Sequence, residues 1–276
     1  MRGLTSVVVT ELVRIAVAAG VATITLDSPA NRNALSAGLR AELRDALDAA
    51  AGDPAVRVVV LTHTGPVFCA GMDLKETATA APGSEGVREL PAILQRISRC
   101  PKPVLARVAG PARAGGIGLL AAADIALTVP SATFAFSEVR IGLVPAVITV
   151  PVLDRMDPVA ARELLLTGEV FDAERARQTG LVNAVARSDH RDGSYEPDDE
   201  LAALDDLVGE YVTALLKGGP GALAGTKQLL GQGRDDSDER YARLIELSAA
   251  HFASGEGREG ARSFAEKRRP AWLLGD

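Results

Sequence analysis

The chain has 276 residues, of which 47% are hydrophobic and 24% are charged, and 30 Lys and Arg against 36 Asp and Glu give a formal charge of −6. This is the composition of a soluble globular protein that can bury a core without disulfide or metal crosslinks. The acidic balance argues against nucleic acid or a membrane surface as the main partner. Cys69 and Cys100 are far apart and no signal peptide is readable, so we expect a reduced, cytoplasmic protein.

The N-terminal part of the chain predicts an antiparallel meander followed by a β-α-β unit. Three short β-branched or apolar runs predict consecutive strands at residues 7–9, 13–18 and 21–26. Ser36 is a suitable N-cap for a helix that Gly52 and Pro54 bring to an end. Residues 56–61 are apolar except for Arg57, which is typical of a parallel strand buried on both faces.

Strand and helix patterns continue to alternate after this unit, which predicts an α/β architecture with parallel strands. The predicted strands are residues 103–108, 125–129 and 133–136, and the predicted helices are residues 87–99 and 115–123. The Asp-rich residues 187–199 show no periodicity and predict a surface loop. Beyond them only helical patterns follow, at residues 201–217, 220–230, 238–254 and 257–268.

Two glycine-containing segments could present backbone N–H donors to a ligand. The loop from Phe68 to Leu74 follows a buried strand, and its glycine allows a tight turn that exposes peptide N–H groups to an oxygen gaining negative charge. Residues 110–118 run into a helix whose first turn offers free N–H groups and the positive end of the dipole. Taken singly, the first fits a plain strand-to-helix connection, and Gly116-x-Gly118-x-x-Ala121 weakly matches a dinucleotide-binding fingerprint.

The third segment, residues 136–145, carries Glu138 between an apolar strand and an apolar run. This context predicts a partly buried carboxyl group with a raised pKa that could transfer protons. The alternative is a solvated glutamate that pairs with Arg140 or caps a short helix. The three histidines lack the spacing of metal ligands or of a catalytic triad, and Cys69 has no evident base, so we interpret it as a small buried residue.

In this order and at these separations, the three segments resemble the enoyl-CoA hydratase/isomerase (crotonase) superfamily. Residues 28–35 are similar to the family's P-x-x-x-N-A-L loop, and residues 264–268 to its C-terminal F-x-E-K-R motif. The resemblance implies a crotonase-like spiral of β-β-α turns with the active site in residues 1–200, and a helical trimerisation region in residues 201–276. It also implies a homotrimer or hexamer that acts on an acyl-CoA thioester, with no separate cofactor or metal.

The resemblance assigns a role to individual positions. It makes the backbone N–H groups of Met72 and Gly115 an oxyanion hole for a thioester carbonyl, and Glu138 the residue that transfers protons. It places contacts with coenzyme A, largely through the backbone, at Arg32, Ala34, Ala70, Met72, Asp73, Leu74 and Gly115, and contacts with its nucleotide end at Phe264 and Lys267.

One position departs from the family pattern. Typical hydratases place two glutamates around the substrate double bond; Glu138 matches the second, whereas the position of the first is Gly118. Hydration of a 2-enoyl-CoA is the leading hypothesis because the surrounding motifs resemble hydratases of the methylglutaconyl type. Isomerisation of the double bond by Glu138 alone and non-catalytic acyl-CoA binding are the alternatives. Arg113 is expected either to face solvent or to recognise a second substrate carboxylate.

Overall fold

The computed structural model describes residues 6–9, 12–73, 75–76, 89–186 and 197–231, together with residues 255, 259, 266 and 268–271. Three expected binding residues, Leu74, Phe264 and Lys267, lie outside these ranges, as does most of the two helical patterns predicted after residue 238. Among the described residues, no helix is both long enough and apolar enough to cross a membrane.

In the part of the chain that the structure describes, ten strands form two sheets. The larger sheet has the spatial order β1-β2-β3-β4-β5-β7-β10, and β6, β8 and β9 form the smaller one. The strands are β1 (Ser6–Val9), β2 (Val13–Ala18), β3 (Val21–Leu26), β4 (Val58–His63), β5 (Val104–Val108), β6 (Ala112–Arg113), β7 (Ile125–Thr128), β8 (Thr133–Ala135), β9 (Phe171–Asp172) and β10 (Ala184–Val185).

The pairing directions in the larger sheet confirm the sequence predictions. Strands β1, β2 and β3 pair antiparallel, as the meander requires, and every pair from β3 to β10 is parallel. All six residues of β4 are buried, as expected for a central parallel strand that is covered on both faces.

Helices cover the larger sheet and connect its parallel strands. The helices are α1 (Ala37–Gly52), α2 (Leu90–Ser98), α3 (Gly115–Ala122), α4 (Thr149–Arg155), α5 (Pro158–Thr167), α6 (Ala173–Gln178), α7 (Pro197–Leu216) and α8 (Pro220–Leu230). The Ser36 side chain accepts a hydrogen bond from the Leu39 N–H at 3.3 Å, which confirms the predicted N-cap of α1. Helix α1 packs on β2 and β3, and α7 packs on β4 and β7.

Cationic side chains bind the C-terminal ends of three helices. Lys102, Lys227 and Arg57 donate to carbonyl groups at or just beyond the ends of α1, α2 and α7, where a helix leaves its last carbonyls without a full set of internal partners. The positive charge also complements the negative end of each helix dipole. The acceptors, at 2.5–3.3 Å, are Ala50 and Asp53 for Lys102, Ile97 and Lys102 for Lys227, and Leu216 and Gly218 for Arg57.

The start of α7 corrects the loop predicted at residues 187–199. Residues 197–199 form the first turn of the helix, where Asp198, Asp199 and Glu200 are favoured by the positive end of the dipole. Asp198 and Asp199, which formed part of the predicted loop, therefore belong to a helix start, whereas residues 187–196 lie outside the described ranges. The division predicted at residue 200 falls inside α7, and the proposal of two regions stays a prediction.

The apolar face of α7 also differs from expectation. The resemblance implies a trimerisation region in residues 201–276, but Leu204 and Val208 of α7 are buried in the core of their own chain. Most of the exposed large apolar side chains of the described part occur between residues 141 and 170 instead: Ile141, Leu143, Val144, Val150, Leu153, Val159, Leu166 and Val170.

We expect Lys227→Met to lower the free energy of unfolding by about 1–3 kcal/mol. The substitution leaves the Asp124 carboxylate, which Lys227 contacts at 2.7 Å, without its cation, and burial already raises the pKa of Asp124. Urea denaturation measures the loss. Arg96→Met is the control, because the ion pair of Arg96 with Asp48 is more exposed and should cost less than about 1 kcal/mol. Equal losses would contradict the prediction.

Candidate active site

A pocket of about 360 Å³ lies where the three segments singled out from the sequence meet. Its lining is mostly apolar and comes from the loop after β4, the start of α2, the start of α3 and the chain that follows β8. The lining residues are Ala70, Met72, Leu90, Ala114, Gly115, Ser137, Glu138, Ile141, Leu143, Val144, Pro145, Ala146, Val147 and Ile148. The fold therefore brings Met72, Gly115 and Glu138 into one cavity.

Two unpaired backbone N–H groups border this pocket. Gly71 has a φ of +87°, and a Cβ added to it would lie 2.9 Å from the Ala114 Cβ and 3.3 Å from the Gly115 N. Only glycine therefore allows the loop to approach the start of α3 this closely. Among the described residues, neither the Met72 N–H nor the Gly115 N–H has a hydrogen-bond partner. Two donors are thus available to an oxygen in the pocket.

The backbone at Ala114 is held in a conformation that non-glycine residues rarely adopt. Its φ of 48° and ψ of −120° lie outside the regions allowed for a residue with a Cβ. Hydrogen bonds on both sides fix it: the Ala114 N–H donates to Ala135 O at 3.1 Å, and its carbonyl accepts from Ile117 and Gly118 at 2.9 and 3.3 Å. Strain of this kind persists only where the surroundings impose it, and here it immediately precedes the free Gly115 N–H.

Short backbone pairings hold the loop that carries Met72. Leu35 and Met72 form a parallel bridge in which the Leu35 N–H donates to Gly71 O at 2.8 Å. A second parallel bridge joins Cys69 to Ala112, the first residue of β6. The loop therefore lies between the start of α1 and the smaller sheet, which restricts the position of its amide groups.

A buried asparagine fixes the segment before α1. Asn33 is fully buried, its Nδ2 donates to Thr64 O at 3.0 Å and to Val67 O at 2.8 Å, and its Oδ1 accepts from the Ser28 N–H at 2.8 Å. These bonds fasten the P-x-x-x-N-A-L-like loop to the end of β4. The asparagine of that motif therefore acts through backbone positioning.

Glu138 has the environment of a proton-transfer group. It is half-buried in the short helix Ser137–Ile141, and its buried Oε2 has no hydrogen-bond partner among the described residues. Burial raises the pKa of Glu138, an effect that a hydrogen bond from its own backbone partly offsets. The alternative of a pair with Arg140 is wrong, because Arg140 pairs with Glu169. A carboxyl group in this state suits general acid–base chemistry.

Hydrocarbon fills the space beside Gly118, where the family pattern has its first glutamate. A Cβ at Gly118 would lie 2.7 Å from the Ile148 Cγ2 and 3.5 Å from the Leu94 Cδ2. A Cβ at Gly116 would lie 2.5 Å from Cys69 O. These glycines therefore serve close packing, which argues against the dinucleotide-binding interpretation.

Arg113 fits neither of the roles expected for it. Its guanidinium donates to Ala112 O at 3.0 Å, to Thr133 O at 2.5 Å and to Thr133 Oγ1 at 2.9 Å. These bonds join β6 to β8, and burial lowers the pKa of the group. Arg113 therefore holds the smaller sheet together instead of facing solvent or a substrate carboxylate.

The other titratable candidates have structural environments. Cys69 is fully buried, which raises the pKa of its thiol to about 12 and confirms its interpretation as a small buried residue. Burial lowers the pKa of His63 to about 4, and its Nε2 accepts from the Ala109 N–H at 3.1 Å. His63 is therefore neutral and links the ends of β4 and β5.

The remaining expected binding residues lie close to the pocket but do not line it. Arg32 is exposed, and its carbonyl accepts from the Ala70 N–H at 3.1 Å, whereas Ala34 is buried. Asp73 Oδ1 accepts from the N–H groups of Lys75 and Glu76 at 3.0 and 3.2 Å, which shapes the next turn of the loop. The described contacts of these residues are with the protein's own backbone.

One buried charge beside the site, Arg40 on α1, was not predicted from the sequence. The available signal was its spacing: Arg40, Leu43 and Leu47 recur at helical intervals, so the arginine occupies the apolar face. The part of the apolar wall at residues 146–148 was not predicted, since only residues 136–145 had been distinguished by their sequence.

The parallel sheet wound with helices, with a pocket between two glycine-containing loops, defines a protein of the crotonase fold. Comparison with known proteins agrees. The enoyl-CoA hydratase/isomerase family model matches residues 16–274. The chain belongs to this family.

Individual relatives cover nearly the whole chain. A candidate enoyl-CoA hydratase of Thermus thermophilus is 37% identical in an alignment 260 residues long that covers 91% of this chain and 96% of that protein. The enoyl-CoA hydratase EchA19 of Mycobacterium tuberculosis is 34% identical over 90% of this chain and 91% of its own. The crystal structure of an enoyl-CoA hydratase of Mycobacterium smegmatis superposes with a TM-score of 0.81 at 35% identity and covers 98% of each chain.

We expect Gly118→Glu to destabilise the protein by about 1–3 kcal/mol, the usual cost of overpacking a core. The reason is the 2.7 Å approach of the new Cβ to the Ile148 Cγ2. The double variant Gly118→Glu/Ile148→Ala should lose less stability than the sum of the two single variants, because the second change opens the space that the first requires. Chemical denaturation of all four proteins measures this coupling, and additive losses would show that the two positions do not compete for space.

Proposed function

We propose that the protein is an enoyl-CoA hydratase-like enzyme that adds water to a 2-enoyl-CoA thioester, or removes it in the reverse reaction. The observation that carries the proposal is the presence of Glu138, with its unpartnered Oε2, in the same pocket as the free N–H groups of Met72 and Gly115. The hydratase names of the relatives support the same reaction class.

In this proposal the two amides form the oxyanion hole. The thioester carbonyl accepts hydrogen bonds from Met72 and Gly115, and these bonds strengthen as the oxygen gains the negative charge of an enolate. Both donors belong to backbone whose position is imposed by packing and strain, so little reorganisation is needed when the charge develops. The contribution of a single donor of this kind is typically about 10²- to 10³-fold in rate.

Glu138 transfers the proton in both halves of the proposed reaction. As a carboxylate it removes a proton from the water whose oxygen bonds to C3 of the substrate, while the electrons of the double bond move to the thioester oxygen. The neutral Glu138 then returns that proton to C2 of the enolate, which regenerates the carboxylate. One carboxyl group is sufficient because it acts first as base and then as acid.

The proposed contacts with coenzyme A follow the resemblance. Arg32, Ala34, Ala70, Asp73 and Leu74 would bind the CoA portion largely through their backbone groups. Phe264 and Lys267 would contact its nucleotide end, where a lysine ammonium group complements phosphate charge.

Isomerisation of a 3-enoyl-CoA is the second candidate, and the apolar wall favours it. Ile148 occupies the space beside Gly118, so among the described lining residues only Glu138 carries an acidic side chain. In this reaction Glu138 would remove a proton from C2 and deliver it to C4, while the double bond moves to C2–C3. No water needs to be held.

One experiment separates these reactions. The protein is incubated with 2-enoyl-CoA and 3-enoyl-CoA thioesters of several chain lengths, and the products are resolved by chromatography and mass spectrometry. A product heavier by one water means hydration, and a product of unchanged mass with a shifted double bond means isomerisation. Binding of the thioesters without either product would contradict both reactions and favour the non-catalytic role.

We expect Glu138→Gln to lower kcat by roughly 10²- to 10⁴-fold, the range attributed to general acid–base catalysis, with little change in the affinity for CoA. The amide keeps the size of the side chain but cannot accept the proton. Glu169→Gln, which changes an exposed glutamate nearby, is the control and should keep normal turnover. Near-normal turnover of the Glu138 variant would show that another group is the base.

The same substitution should affect stability in a pH-dependent way. Because burial raises the pKa of Glu138 above the ordinary value of about 4.3, folding disfavours its ionised form. The parent therefore loses stability as the pH rises from the ordinary pKa through the raised one, and the Gln variant does not. Their difference in the free energy of unfolding should grow over this interval and stay constant above it, whereas activity of the parent should fall as the pH drops through the raised pKa.

We propose a homotrimer or hexamer that uses the exposed apolar face between residues 141 and 170. Val159 and Leu166 on α5 are 74% and 72% exposed, and residues seven positions apart share one helix face. Light scattering on the eluting protein should report an oligomer for the parent, and Val159→Lys/Leu166→Lys should weaken it. Leu230→Lys on α8, where Leu230 is 81% exposed, is the control. A monomeric parent at micromolar concentration would contradict the proposal.

A further inference from the structure

Arg40 is a buried cation outside the pocket that none of the proposed catalytic steps uses. Its side chain is 3% exposed on the face of α1 that packs into the core. A buried charge is costly unless partners surround it. Its Nη1 donates to Leu35 O at 2.6 Å, its Nε to Glu89 Oε2 at 3.0 Å and its Nη2 to Glu76 Oε1 at 3.4 Å.

Two of these partners are connected to the ends of the short segment that carries Met72. Leu35 pairs with Met72, and the Leu35 N–H donates to Gly71 O at 2.8 Å. At the other end, Glu76 Oε2 accepts from the Ala37 N–H at 2.7 Å, in addition to the contact of its Oε1 with Arg40. The segment from Gly71 to Glu76 is therefore fastened at both ends to the start of α1, and Arg40 contacts both attachments.

We propose that Arg40 is a positioning residue for the Met72 N–H donor. It holds the Leu35 carbonyl and the Glu76 carboxylate in fixed positions relative to α1, and thereby keeps the Met72 amide directed at the pocket. Arg40 is not among the lining residues, so it acts through Leu35 and Glu76 and not on the substrate. The inference rests on the proposed function, because it requires the Met72 amide to bind the thioester oxygen.

The choice of arginine follows from the number and arrangement of its partners. A guanidinium is planar and presents several donors in a fixed fork, so a single side chain can bind one carbonyl and two carboxylates at once. A lysine ammonium is a compact point charge that cannot reproduce this arrangement. Both carboxylates are partly exposed, so loss of Arg40 leaves them hydrated, and its main effect should be on the position of the loop.

The test compares the parent with Arg40→Met, Arg40→Lys and Arg96→Met. Arg96 on α2 is a matched control, because it joins α2 to Asp48 of α1 at 2.8 Å without contacting the loop that carries Met72. Three quantities are measured: kcat, the Kd for butyryl-CoA, and the infrared carbonyl frequency of bound butyryl-CoA labelled with ¹³C at the thioester carbon. The carbonyl frequency reports hydrogen bonding at the thioester oxygen directly, even for an unreactive ligand.

We expect the bound carbonyl of the parent to absorb at lower frequency than free butyryl-CoA. In Arg40→Met this shift should shrink and kcat should fall by roughly 10- to 100-fold, toward the loss seen when one oxyanion donor is removed, while Kd changes by less than about threefold. Arg40→Lys should keep part of the carbonyl shift and part of the kcat that Arg40→Met loses. Arg96→Met should match the parent in both quantities. A general loosening of α1 is not expected to lower kcat while it leaves Kd nearly unchanged.

The outcomes separate the inference from the function on which it rests. A parent that binds butyryl-CoA without any carbonyl shift contradicts the oxyanion hole itself. A shifted parent whose Arg40→Met variant keeps the same shift and kcat overturns the positioning role alone. If Arg40→Met does not fold, as judged by circular dichroism, Arg40→Lys decides, and a carbonyl shift equal to that of the parent overturns the inference.

Discussion

The close approach of two backbone segments is the constraint on which the pocket depends. Gly71 lies against Ala114 and Gly116 lies against Cys69 O, at distances that leave no room for a Cβ on either glycine. Because of these contacts, the loop after β4 reaches the first turn of α3, and two unpaired amides border one cavity. The strained backbone of Ala114 is a consequence of the same geometry, since it turns the chain from β6 into α3 over a single residue.

Placing a carboxyl group in an apolar cavity lowers the free energy gained on folding when that group is ionised. Among the described residues the buried Oε2 of Glu138 has no partner, and burial raises the pKa of Glu138, so folding disfavours its ionised form. The apolar residues that line the same pocket, including Ile148, contribute to this burial. The same surroundings therefore make Glu138 a stronger base and the protein less stable.

Several buried and half-buried cations of the described chain bind backbone carbonyls. Lys102 and Lys227 hold the ends of α1 and α2, and Arg113 joins β6 to β8. Arg40 belongs to the same group, but its partners are attached to the loop that carries Met72, so its positioning effect extends to the proposed chemistry. The role of a cation near a candidate site is thus indicated by the groups that accept its hydrogen bonds and not by its position in the sequence.

The sequence by itself determined the elements whose signals are local. The apolar runs of β2 and β3, the Ser36 cap of α1 and the order of strands and helices were predicted because strand periodicity, capping and chain breakers act within a few residues. The three segments that line the pocket were likewise recognisable. Only the tertiary structure decided what lies against each segment: Thr133 for Arg113, Ile148 for Gly118 and the chain's own sheet for α7. These partners are distant in sequence. The spacing of residues predicts which face of a helix or strand a residue occupies, but it does not predict which segment packs against that face.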